Sequence, residues 1–142
     1  MKTQPVPDPF LEYQPPYARA GAFKTLGACV AGICIPGLGH ALLAKWDRAL
    51  VFFASILILF GLGLQLHGRL FGPDFESFFA VLKFMAQAGS GLLYWVSLLG
   101  GSGAGDPTAF TYDYANTYIY VAGLLNMLVV VDAFDIAMGR KR

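Results

Sequence analysis

Charged residues fall in clusters along the chain, and four long uncharged stretches run between them. Twenty uncharged residues separate Lys24 from Lys45, and twenty separate Arg48 from Arg69. Twenty-two run from Phe84 to Gly105, and eighteen from Tyr114 to Val131. A membrane-crossing helix needs about 20 mostly apolar residues, because a rise of about 1.5 Å per residue must cover roughly 30 Å of hydrocarbon. The pattern predicts an all-α integral membrane protein with four transmembrane helices, at about 23–35, 49–66, 78–99 and 115–135. A proline-rich segment, 1–22, precedes this four-helix domain of 23–139, and a basic tail, 140–142, follows it. Pro36 and Gly37 interrupt the first stretch, since proline removes a backbone donor and glycine loosens a helix. The first helix is expected to be short or kinked there, followed by a turn and an interfacial segment through Lys45–Arg48.

Basic residues orient such a bundle, because cytoplasmic loops carry an excess of Lys and Arg. Four crossings place Lys2, Arg19, Lys24, Arg69, Lys83, Arg140, Lys141 and Arg142 on one side, eight against the two of Lys45 and Arg48. A first stretch that fails to cross changes the split to five against five. The count favours four spans with both termini cytoplasmic, in a bacterial inner membrane. Trp46, Tyr94, Trp95, Tyr112, Tyr114, Tyr118 and Tyr120 then collect at the outer interface, where an apolar ring with a polar tip suits both phases.

Composition agrees with a membrane protein. Hydrophobic residues make up 56% of the 142, charged residues 13%, and the mean hydropathy is +0.57. Nineteen charged side chains cannot cover that much apolar surface in water. The net charge of +1 excludes nucleic acid as the main ligand. The first 22 residues hold Asp8, Glu12 and five prolines, which does not match a cleavable signal peptide. Cys29 and Cys34 lie five apart, on different helix faces, and read as small packing residues.

Few polar residues invite chemistry. Asp132 and Asp135 share a face near the end of the last span, where paired carboxylates bind a cation, relay protons or meet basic residues. Lys24, Arg69, Lys83 and Arg140 are their candidate partners. Asn126, at mid-membrane, is expected to make an interhelical hydrogen bond. Asp113, Asn116, Thr117 and Tyr120 form a packing stripe at the other end of the same helix. His40 and His67 stand about 27 Å apart across the second helix and cannot share a haem. No cofactor or metal site is expected: single ligation of a pigment or haem by His40 or His67 is disfavoured, and a bound lipid is compatible with the sequence. The glycine-rich run 100–106 lacks the strand and the lysine of a phosphate loop and reads as a flexible connection. Gly27 with Ala31, Ala28 with Gly32, and Ala86 with Gly89 and Ser90 are small-residue faces that let helices approach closely.

Pro36, Gly37, Gly39, His40 and Lys45 lie between two apolar stretches, in a segment that resembles the turn of the two-transmembrane-domain module of small membrane proteins. The C-terminal run with Asn126, Asp132 and Asp135 is similar to uncharacterised bacterial four-helix relatives of that module. The resemblance implies a membrane topology and no activity. These readings lead to the expectation of a non-catalytic accessory subunit that docks on a larger respiratory, photosynthetic or translocating inner-membrane complex. Its partners would be other integral membrane proteins and lipids, through Gly27, Ala28, Ala31, Gly32, Gly89, Trp46, Trp95 and Tyr118. The alternative is a small homo-oligomeric channel or transporter element that uses Asn126, Asp132 and Asp135.

Overall fold

The computed structural model describes residues 17–141, which fold into six helices with no strand among them. Two are long and apolar enough to cross a membrane: α3 (Trp46–Gln65) and α6 (Tyr112–Ala137). They correspond to the expected second and fourth spans. At about 1.5 Å per residue they measure about 30 Å and about 39 Å. They pack antiparallel, Gly63 lying against Ala115 and Ile119, and Arg48 reaching Asp132. Between them sit Ile56 and Phe60 of α3 with Ile119, Ala122 and Val129 of α6.

The first apolar stretch does not run on as a single crossing helix. It forms α1 (Ala22–Cys34), turns through Ile35–Gly37, and comes back as the short α2 (Leu38–Leu42). Pro36 offers no N–H to continue the ladder, and Gly37 turns the chain at φ 78°. Both arms end beside the C-terminal end of α6. The N–H of Ala20 donates to the carbonyl of Ala137 at 2.8 Å, and His40 in the middle of α2 reaches Asp132. A hairpin of about 20 Å therefore rises halfway along α6 and returns. The expected four-crossing arrangement puts Arg48 and Asp132 at opposite ends, whereas here they pair at 3.5 Å.

The third stretch is also two helices, α4 (Phe78–Ala88) and α5 (Leu92–Leu99), in place of the one continuous span expected. They fold towards each other, because the Phe84 ring packs edge-on against both Tyr94 and Trp95. The break at Gly89–Gly91 requires glycine: Gly91 sits at φ 66°, and a Cβ there would strike the carbonyls of Ile33 and Cys34. The glycine-rich run 100–106 is docked and does not hang free. Gly103 accepts from the N–H of Leu70 at 2.8 Å, and Asp106 donates its N–H to the carbonyl of His67 at 3.1 Å. Side chains satisfy the non-helical backbone after α3. Gln87 accepts from the N–H of Phe71 and donates to the carbonyl of Arg69, while the Tyr94 hydroxyl donates to the carbonyl of Phe71 at 2.6 Å. Buried amides need such partners wherever no ladder supplies them.

The expected one-sided aromatic belt is not formed. Trp46 lies beside Lys45 and Arg48 at the end where α6 finishes, Tyr112 and Tyr114 lie where α6 begins, and Tyr94 is in the core. Most of the proline-rich segment lies outside the described residues, as does Arg142.

Candidate functional site at the hairpin tips and the basic end

The tips of the two hairpins meet on α6 at Asn126. Helical geometry would bond the Gly32 carbonyl to the N–H of residue 36, and Pro36 has none. Asn126 supplies the missing donor, its Nδ2 reaching that carbonyl at 3.1 Å. The break after α4 frees the Gly89 carbonyl in the same way, and Nδ2 also donates to it at 2.8 Å. One amide group thus serves one orphaned acceptor from each broken helix. The backbones close in around it: Gly89 abuts the Gly123 carbonyl, and a Cβ on Gly123 would collide with the Ala86 carbonyl. Asn126 Oδ1 and Ser90 Oγ are buried at this junction without a partner among the described residues.

The second constellation lies at the end shared by α1, α2 and α6. His40 is fully buried, stacks obliquely on Phe52, and donates from Nε2 to Asp132 at 3.0 Å. Asp132 also accepts from Lys141 at 2.9 Å and from Arg48 at 3.5 Å. Its neighbour Asp135 pairs with Arg140 at 3.3 Å and with Lys141 at 3.8 Å. The hydrogen bond to Asp132 holds the Lys141 ammonium above its ordinary range. Of the expected partners for the two acids, only Arg140 pairs with one of them; Lys24 lies at this end but makes no ion pair with either, and Arg69 and Lys83 lie at the other end. Arg48, Lys141 and His40 join them unannounced by the sequence: Lys141 folds back from the end of α6 itself, and the return of the first hairpin brings His40 and Arg48 to this end.

The remaining candidates divide by face. Ala28 and Gly32 are buried, Gly32 against Val130 and Gly39, and Gly39 against the Ala28 carbonyl. Gly27 is open, and a Cβ added there would meet nothing within 4 Å. Trp46, Trp95 and Tyr118 are exposed in part or mostly. His67 follows the C-terminal cap of α3 in a left-handed conformation, φ 69°. Asn116 accepts from the N–H of Arg69 at 2.8 Å, while Thr117 bonds within its own helix.

Both constellations lie within the part of the chain, residues 27–142, that matches a family of unknown function designated DUF6677. The chain belongs to this family. The match spans both helix breaks, Asn126 and the His40–Asp132 pair, and starts after Arg19 and Lys24. No curated protein and no solved structure matches the chain.

Proposed function

We propose that this member of DUF6677 is a non-catalytic membrane subunit that docks on a larger integral membrane complex. Its arrangement in the membrane would be two crossing helices, α3 and α6, with the two hairpins re-entering from opposite faces. The large side chains that α3 and α6 expose, among them Leu50, Val51, Ile58, Leu128 and Val131, support burial in lipid, since soluble surfaces seldom carry such patches. The basic count also supports it. Arg19, Lys24, Lys45, Arg48, Arg140 and Lys141 share the end with the described termini, six against Arg69 and Lys83. That asymmetry favours the basic end at the cytoplasmic face of a cytoplasmic membrane.

The observation that carries docking is the outward face of α1. Gly27 is open beside Phe23, Leu26 and Val30, which are 91%, 64% and 52% exposed. A small residue set in an apolar ridge lets a partner helix approach closely. Purification in mild detergent followed by native mass analysis is the test. A second membrane protein should accompany the parent, and Gly27→Leu should release it while helicity is kept. A parent that runs as a stable monomer with no protein partner overturns the reading.

A second reading, an oligomeric channel or transporter element using Asn126, Asp132 and Asp135, is favoured by the unpartnered Asn126 Oδ1 and Ser90 Oγ. Helix breaks that meet inside a membrane are where transporters place ion sites. Proteoliposome flux that falls in Asn126→Leu or Asp132→Asn supports it, and a parent without flux removes it.

A further inference from the structure

At the basic end a cavity of ≈ 310 Å³ opens between the start of α1, the end of α2 and the end of α6. Arg19, Lys24, Lys45 and Lys141 line it, together with Ala18 and Ala20. No carboxylate lines it among the described residues. Among the described residues only Lys141 of these four cations has acidic partners, Asp132 and Asp135. Gathering cations around one concavity is unfavourable unless an anion joins them. The α1 helix starts here as well, with Gly21 at its cap and no side-chain acceptor on its first amides, and a helix N-terminus carries partial positive charge. A second concavity of ≈ 460 Å³ shares Lys45 and adds Trp46, Arg48 and the acidic Asp47.

We infer that this basic cavity binds the phosphate headgroup of an anionic phospholipid. The ligand is a lipid and not free phosphate because apolar surface continues from the cations. Trp46, 69% exposed, adjoins Lys45, and Phe23 beside Lys24 begins the ridge that Leu26 and Val30 extend along α1. Acyl chains pass Trp46 and the Phe23 end of that ridge while the phosphate meets the cations, leaving the stretch around Gly27 to the partner helix. Basic pockets between membrane helices on the cytoplasmic side recognise headgroups in this way. The inference rests on the membrane arrangement proposed above.

The test uses the full chain carrying Trp95→Phe, so that Trp46 is the sole tryptophan, in vesicles of phosphatidylcholine with a minor fraction of phosphatidylglycerol. Acyl-brominated phosphatidylglycerol should quench Trp46 more than acyl-brominated phosphatidylcholine at equal mole fraction. Replacing one of Arg19, Lys24 or Lys45 by Gln should lower that preference about fivefold at low ionic strength. The triple variant should abolish it, with quenching by phosphatidylcholine unchanged as the control for folding. Equal quenching by the two lipids in the parent overturns the headgroup site and leaves the membrane arrangement standing. Quenching by neither lipid overturns the membrane arrangement as well. A preference that survives in the triple variant overturns the assignment of the residues. One that millimolar inorganic phosphate erases assigns the cavity to free phosphate and overturns the lipid.

Discussion

Replacing Asn126 by Leu tests how the hairpins are held. The substitution keeps the branched shape and heavy-atom count of Asn126 and removes both bonds, to Gly32 at 3.1 Å and Gly89 at 2.8 Å. Interhelical hydrogen bonds in membranes average about 0.6 kcal/mol each and reach about 1.7, so two contribute from about 1 to about 3 kcal/mol. The two carbonyls have lost their helical donors, and a buried acceptor left unsatisfied costs about 1–3 kcal/mol. The loss should therefore fall in the upper part of that range, about 2–3 kcal/mol. Reversible unfolding in mixed micelles, titrated with sodium dodecyl sulfate and followed by circular dichroism, measures it. Amide exchange should quicken around residues 35–38 and 90–93, since both tips are released together. A loss under about 0.5 kcal/mol, or faster exchange at one tip alone, would refute the claim that one amide supports both breaks.

Gly123→Ala should destabilise by more than about 3 kcal/mol, because its Cβ meets the Ala86 carbonyl of a neighbouring helix. Gly27→Ala should be neutral or stabilise by up to about 1 kcal/mol in the same titration, as its Cβ enters open space. Asp132→Leu should cost about 3 kcal/mol because it strands the buried His40, whereas Arg48→Gln and Lys141→Gln, both exposed, should each cost under about 1 kcal/mol and respond to salt. The Thr108 hydroxyl at 2.6 Å and its N–H hold the Asp106 carboxyl below its ordinary value. A lowered folded pKa contributes stability above the unfolded value of about 3.9, which is lost as pH falls through the folded pKa. Thr108→Val should raise the Asp106 pKa towards that value, as read by carbon-detected NMR titration; an unmoved pKa contradicts the assigned cause.

The long helices are legible in the chain because their signal is local. Uncharged runs of about the required length coincide with α3 and α6 to within a few residues at each end. The interruption at Pro36–Gly37 is equally legible, since a missing N–H is a property of proline itself. The break at Gly89–Gly91 is not. Ala86, Gly89 and Ser90 in an apolar run read as a close-packing face, and only the carbonyls of Ile33 and Cys34 arriving from another hairpin make glycine obligatory at Gly91. Asn126 reads as a residue that bonds another helix, yet its partners depend on where both breaks come to rest.

The sequence by itself determined the helical class, the two long apolar helices, the break at proline and the concentration of ionisable groups at the helix ends. Periodicity, charge and proline chemistry act within a few residues, and they need no knowledge of neighbours. Only the tertiary structure decided that the first and third stretches turn back, that Arg48 and Lys141 join Asp132, and that Lys24 and Lys45 share a cavity. A count of charges per loop assumes that every apolar stretch crosses. A hairpin that turns back leaves the composition of each stretch unchanged while moving its flanking residues to the other end of the molecule.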